Sequence, residues 1–365
     1  MHTVLEVAMN VAEPQKKLFS FSSIHSVRQF PAVFFESDAG FAAGVGSARG
    51  QAQNKRLWSL ETPESYNPTG IAALCDWQVM SSRDGRCLLH RNGTVNPRTI
   101  FLSLRGRFAA FEYFKHEVLS SIAKPFVLVS GSEDITIPNQ VDRRQPRFTR
   151  SQKMLLEQIR SDTRLVAWFA ENLDETKPKM VALPTGYVFA GSGAPVDAVE
   201  VTTTPLSSRP PRVLCAHRIR RGRQWKMRER VSGLCKKQWR SFATSIEQEV
   251  SLQDFMALMR AHPFVLCVEG GGLDPSPKAW LTLALGSIPV IRRSATSAAY
   301  ETALPVAVVD QWRPNALSPA TLQRWCEEFS PWIACPERRK ALECRLSTHY
   351  WWRIIEASYR DGHPG

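Results

Sequence analysis

Residues 262 to 290 read His-Pro-Phe-Val-Leu-Cys-Val-Glu-Gly-Gly-Gly-Leu-Asp-Pro-Ser-Pro-Lys-Ala-Trp-Leu-Thr-Leu-Ala-Leu-Gly-Ser-Ile-Pro-Val. An apolar run ends at Val268, an acceptor-only carboxylate follows at Glu269, and Gly270, Gly271 and Gly272 let the backbone turn sharply and approach a ligand. Ser276 stands where a helix N-cap belongs, and Pro277 takes the first helical position, where its missing N–H costs nothing. The helix so opened points free N–H groups and the positive end of its dipole at a sheet edge, an anion site fit for a diphosphate. Lys278 adds a cation there; a lysine in the first turn opposes the dipole, so it must gain elsewhere. Glu269 is placed to hold sugar or ribose hydroxyls. A glycine-rich connection without a ligand accounts for the glycines but not for the joint occurrence of strand end, carboxylate, cap and cation.

A second chemical signal is charge. Residues 212 to 240 hold eleven Lys or Arg and one acid, Glu229, so most of the formal net charge of +13 lies in that window. A concentrated basic segment implies an anionic partner: a diphosphate, a nucleic acid or an acidic membrane surface. The bland alternative is a solvated helix face. Two carboxylates, Glu133 and Asp134, follow the apolar run Phe126 to Val129.

These residues need elements to hold them. Phe126 to Val129, ending in Ser-Gly, reads as a buried parallel strand, residues 151 to 160 as a helix, Leu165 to Phe169 as a buried element, and Met180 to Leu183 as a strand stopped by Pro-Thr-Gly. Alternating strands and helices imply an α/β layer. Residues 201 to 211 contain three prolines among small polar residues and mark the domain boundary. Beyond it the pattern predicts strands at Val213 to Ala216, Phe264 to Val268, Ile288 to Ile291 and Val306 to Val309. Helices are expected near 224–238, 251–260, 277–285 and 318–329. That is a second doubly wound sheet. The stretch 337–358 is expected as one helix whose Tyr350, Trp351 and Trp352 pack back across the seam. The chain divides into an N-terminal domain over 1–205 and a C-terminal domain over 212–336. In the first 70 residues only Phe30 to Phe35 is strand-like, and Gly44, Gly46 and Gly50 miss the dinucleotide-loop spacing by one residue.

A chain of 365 residues is long for one core, since domains run to about 100–200 residues. No long apolar run or signal-like N-terminus occurs, so the chain reads as cytoplasmic. Its eight scattered cysteines lack C-x-x-C pairs and read as reduced, buried thiols.

Ser276-Pro277-Lys278, the apolar helix after it and Leu285-Gly-Ser-Ile-Pro-Val290 resemble the signature of exostosin-like glycosyltransferases, Ser-Pro-Arg followed by Gly-Cys-Ile-Pro-Val. Phe264 to Asp274 resembles that family's Phe-Val-Leu-x-Pro-Glu-Gly-x-Gly-x-Asp, and Leu304 to Trp312 its later Leu-Pro-Val and Asp-Asp-Trp segment. Ser130 to Asp134, Trp168 to Asn172 and Leu183 to Gly186 are similar to its acceptor-side landmarks. The resemblance implies a GT-B fold, two Rossmann-like doubly wound parallel-sheet domains facing across a cleft. It also implies a hexosyl- or pentosyltransferase that takes a UDP- or GDP-linked sugar as co-substrate, with no structural metal or further cofactor, and a glycan or glycoconjugate acceptor. On the donor side it adds Asp274 and an Arg on the basic helix, best matched by Arg228, with Arg230 the alternative. Two positions depart from the family: Lys278 lacks the planar fork of Arg, and Leu281 replaces a Glu expected to hold hydroxyls.

Sugar transfer needs a base for the acceptor hydroxyl. Asp134 is the first candidate and Glu133 the second, an exposed acidic loop being the plain alternative. Leftover arginines offer peripheral contact with an anionic membrane. A nucleic-acid-binding protein accounts for the basic window but not for residues 262–290, and no nucleic-acid-binding signature is present. A sugar-nucleotide-binding pseudoenzyme is the third reading, encouraged by Leu281.

Overall fold

The computed structural model describes residues 70–186, 202, 204–219, 222, 225–275 and 277–361. The expectations for Phe30 to Phe35, for the early glycines and for Ser276 as an N-cap lie outside these residues. Short apolar runs build two sheets. The first comprises β1 (Trp77–Ser81), β2 (Cys87–Arg91), β3 (Thr99–Ser103), β4 (Phe126–Gly131), β5 (Leu165–Ala170) and β6 (Met180–Ala182), in the order β2-β1-β3-β4-β5-β6. All pairs are parallel except the hairpin that adds β2 to the edge. Strands β1, β3 and β4 are buried along their whole length, as expected of strands covered on both faces. Helices α1 (Ile71–Leu74), α2 (Ala109–Tyr113) and α3 (Arg150–Arg160) flank them. Thr149 and Gln152 close a reciprocal capping box that starts α3.

The prolines of 201–211 permit only one 3-10 turn, Leu206–Ser208, before the second sheet begins. Its elements run β7 (Val213–Cys215), α4 (Lys226–Lys236), β8 (Ala243–Ser245), α5 (Leu252–Ala261), β9 (Phe264–Leu266), α6 (Pro277–Ala284), β10 (Ile288–Arg292), α7 (Ser297–Ala303) and β11 (Ala307–Val309). The order β11-β10-β9-β7-β8 is parallel throughout and reverses between β7 and β9. Such a reversal opens a crevice at the carboxyl ends of the two strands, where α/β sheets take their ligands. Among the described residues the first sheet advances in one direction from β1 to β6, so the reversal is seen in the second sheet. Two parallel α/β sheets in sequence are the layout of a GT-B protein.

Three helices follow: α8 (Pro319–Ala334), α9 (Pro336–Leu346) and α10 (Thr348–Asp361). The single helix expected over 337–358 is broken at Ser347, whose hydroxyl accepts from the Tyr350 N–H and restarts the helix. α10 packs on β4 and β5 of the first sheet, while α9 packs on α6 of the second. Arg339 on α9 donates to the carbonyls of Leu283 and Ala284 at 3.0 and 2.7 Å, satisfying the last turn of α6. Trp280 of α6 donates to the Leu346 carbonyl at 3.1 Å and packs against Trp351 and Tyr300. One apolar core therefore runs from the first sheet through α6, α7, α9 and α10 to one face of the second sheet. A separate core, with Trp239, Phe264 and Trp325, fills the other face.

The carboxyl edges of the sheets meet. Asn172, just after β5, accepts from the Leu273 and Asp274 N–H groups at 2.8 and 2.9 Å and donates to the Glu133 carbonyl. Asp274 accepts from the Thr185 N–H, after β6, and from the Tyr300 hydroxyl at 2.8 Å. Burial and the neighbouring Asp274 charge hold the Tyr300 phenol well above its ordinary pKa, so it stays a donor. Thr296 donates to the Leu173 carbonyl.

Gly272 adopts φ 63°, and a Cβ there would collide with the Asn172 amide. Gly272→Ala should cost about 2–4 kcal/mol, from left-handed backbone strain and displaced Asn172 hydrogen bonds. Gly233, inside α4 with open space around it, is the control: Gly233→Ala should gain up to about 1 kcal/mol. Thermal unfolding of the two variants checks both signs.

Candidate functional site at the facing sheet edges

The crevice between β7 and β9 is bridged by two cations. Arg228, on α4, donates to the Val268 carbonyl through Nε and Nη2 at 3.3 and 3.2 Å, and to the Arg218 carbonyl through Nη1 at 3.1 Å. Its guanidinium lies 4.8 Å from the Trp225 ring centroid, which fixes its plane. Lys278 donates to the Ala216 carbonyl at 3.0 Å from the opposite wall. Burial lowers the Lys278 pKa, the Cys267 and Cys215 thiols oppose that, and the Arg228 charge adds to it. The benefit expected for an ill-placed lysine in a first turn is therefore a contact with a strand-end carbonyl. Arg230, the alternative to Arg228, is exposed and lies two residues further along α4.

His217 is a site-wall residue that sequence reasoning missed. Its Nε2 is 3.0 Å from the Arg228 carbonyl, which can only accept, so Nε2 carries the proton. The ring thereby ties the turn of α4 that carries Arg228 to the end of β7. Beside it opens a cavity of ≈ 800 Å³ at the carboxyl ends of β7 and β8, lined by His217, Ser245, Ile246, Gln248, Val250 and Phe255 among others. Its wall is mixed: Ile219, Ile246, Val250 and Phe255 stand beside the Arg218–Glu249 and Lys236–Glu247 ion pairs, and the volume is within the about 300–1,000 Å³ usual for a small-ligand site.

Glu269 is 8% exposed and follows β9, and both of its oxygens face protein donors. Arg292 donates to Oε1 at 2.7 Å and Trp312 to Oε2 at 3.4 Å. Each carboxylate oxygen has a second lone pair, so the group is aimed and still able to accept. Leu281 is buried in the continuous core, so no carboxylate stands at this position.

The three glycines are close-approach positions, but the approaching groups are side chains of this chain. A Cβ on Gly270 would meet the Arg228 guanidinium, on Gly271 Arg144 and Asp134, and on Gly272 Asn172. Gly271 and Gly272 thus seat loops of the first sheet, and Gly270 seats the Arg228 side chain of α4. Asp274, carried over as a donor-binding residue, is 5% exposed and spends its carboxylate on the clasp with Thr185 and Tyr300.

Across the loop stand the acids that follow β4. Asp134 is ion-paired with Arg144, which also holds Asp142. Glu133 is half-buried, and its Oε1 accepts from the Asp134 N–H. Desolvation first, and then the Asp134 charge, raises the Glu133 pKa, with Arg105 and Arg144 opposing. Ser132 beside it holds φ 72°, a left-handed conformation uncommon outside glycine and favoured at functional sites. Its hydroxyl, like that of Ser103 at the end of β3, is buried without a hydrogen-bond partner among the described residues. Arg105, Arg144 and Ser103 had no sequence signal beyond their residue types.

Among the described residues no group of three or more His, Cys, Asp or Glu is placed to hold a metal ion, and no helix is long and apolar enough to cross a membrane. No family profile and no curated protein matches the chain. Solved structures similar to it include a spinosyn forosaminyltransferase, at 14% identity over 72% of this chain and 76% of that one, TM-score 0.31. A spinosyn rhamnosyltransferase is similar in two complexes. With thymidine diphosphate the identity is 13%, over 90% of this chain and 85% of that one, TM-score 0.30. With spinosyn aglycone it is 12%, over 88% and 82%, TM-score 0.31. Likeness of this extent says nothing about individual residues, and the description of the fold stands on the strand order.

Proposed function

We propose that the chain is a glycosyltransferase that moves a hexosyl or pentosyl group from a UDP- or GDP-linked donor to a hydroxyl of a glycan or glycoconjugate, without a divalent metal. The observation that carries this reading is the convergence of Arg228 and Lys278 on the crevice between β7 and β9, beside the ≈ 800 Å³ cavity and opposite Glu133. The cavity is where the nucleoside fits, and the two cations are where its diphosphate fits. Glu269, aimed by Arg292 and Trp312, is left to accept from donor hydroxyls.

In this reading the acceptor oxygen attacks the anomeric carbon as the bond from that carbon to the diphosphate oxygen breaks. The acceptor proton passes to a carboxylate, and the charge that develops on the leaving diphosphate is met by Arg228, Lys278 and the N-terminus of α6. Fixed cations of this kind do the work a magnesium ion does elsewhere. We assign the proton to Glu133 rather than to Asp134, because the Asp134 carboxylate is occupied by Arg144 while desolvation makes Glu133 a stronger base. A pseudoenzyme is the second reading, favoured by the buried Leu281; turnover of any nucleotide sugar by the purified protein removes it.

Calorimetric titration with a nucleoside diphosphate should give the same affinity with and without a chelator, and binding that vanishes with chelation overturns metal independence. Lys278→Ala should weaken that affinity by about 1.5–3 kcal/mol, the worth of a charge-assisted hydrogen bond. Unchanged affinity in a folded variant moves the diphosphate away from α6.

Glu133→Gln should lower kcat by on the order of 10²–10⁴ while leaving nucleoside diphosphate affinity intact. Because the Glu133 pKa is raised, the base is lost as pH falls through a value above the ordinary glutamate range. The native kcat should decline there, and the Gln variant should lack that limb. If Asp134→Asn produces the loss and Glu133→Gln does not, the base is Asp134.

A further inference from the structure

Among the described residues, several cations of the basic window are not spent on the site. Arg228 faces the crevice, Arg218 pairs with Glu249, and Lys236 pairs with Glu247. Lys226, Arg230, Lys237 and Arg240 are exposed, and none of them is in an ion pair among the described residues. At about 100° per residue, Lys226, Arg230 and Lys237 fall within about 40° of one another on α4 and its C-cap. They form one stripe turned from the buried Val231 and Cys235, with buried Leu234 at its edge. Gly233 interrupts the stripe with open space, so no side chain walls it. Beyond the helix, exposed Arg240 and Arg313 flank the contact in which Trp239 donates to the Pro314 carbonyl. The single acid of the window, Glu229, lies at the border of the stripe.

We infer that this face docks the protein on an anionic phospholipid surface. A row of exposed cations along one face of a helix matches a flat sheet of negative charge. Each Lys or Arg near such a surface contributes a fewfold gain in binding, so the association is reversible and salt-sensitive. One observation favours lipid over nucleic acid: the large exposed apolar residues of the described chain include no aromatic that could stack on a base. In this orientation α4 presents its cations to the surface and Arg228 to the crevice. The inference does not depend on which reaction the crevice supports.

Co-flotation of the full chain with vesicles tests it. The protein should float with phosphatidylcholine–phosphatidylserine vesicles, not with phosphatidylcholine alone, and should be released as salt is raised. Gly233→Glu puts an acid in the middle of the stripe without a steric conflict and should lower partition about fivefold, and Lys237→Glu about thirtyfold. Both variants should stay folded, Gly233→Glu melting no lower than the native chain because a helical glycine is replaced, and both should keep the native nucleoside diphosphate affinity. Absence of flotation at low salt overturns the inference. So does a duplex or single-stranded oligonucleotide that binds more tightly than the vesicles at equal charge concentration and loses affinity in both variants, because the face then serves nucleic acid.

Discussion

The amide of Asn172 reaches from the end of β5 into the loop after β9, where its oxygen takes two successive backbone N–H groups and its nitrogen holds the carbonyl of Glu133. With the Asp274 carboxylate answering from the other side, the two sheets are latched edge to edge by short polar contacts that leave no room for a side chain at Gly272. The geometry of both halves of the site follows from that latch. It sets how far the acids after β4 stand from the cations at the β7–β9 crevice, and it explains why the glycine run is needed even though the groups crowding it belong to the protein itself.

On the other side of the latch Arg228 and Lys278 are each oriented by carbonyls beyond the strand ends, those of Val268 and Ala216. Burial first, with the Arg228 charge adding to it, lowers the Lys278 pKa. Glu133 is shifted the other way, a carboxylate short of solvent with a second carboxylate beside it.

The second sheet was largely legible from the residues. Phe264 to Val268, Ile288 to Ile291 and Val306 to Val309 announce buried parallel strands, and Ser-Pro-Lys announces a helix start. β1 and β3 escaped because their runs, Trp-Gln-Val-Met-Ser and Thr-Ile-Phe-Leu-Ser, mix polar residues into fully buried strands. Ser81 donates to the Ser103 carbonyl and Gln78 to the Cys75 carbonyl, partners that no periodicity reveals. β8, three residues long, lacks any pattern. Within the candidate site, Lys278 and the pair Asp134 and Glu133, in that order, are singled out by type and place in the chain, and Arg228 by the family resemblance. Their partners are not, because Ala216, Val268 and Arg292 come together only through the strand order. Asp274 shows the converse: its motif position was plain, but its engagement with Thr185 and Tyr300 depends on how the two sheets meet.

The grip of the C-terminal helices on α6 changes what counts as the site. Arg339 closes the carboxyl end of that helix, and Leu346 holds the indole of Trp280 two residues from Lys278. Helix α10, beyond Ser347, then lies on the first sheet. The tail is thus a strut between the two halves of the molecule, and the aim of Lys278 is set as much by residues 339–351 as by the loop that introduces it. Sequence changes in that strut would retune the anion site from a distance, without touching any group that meets the ligand.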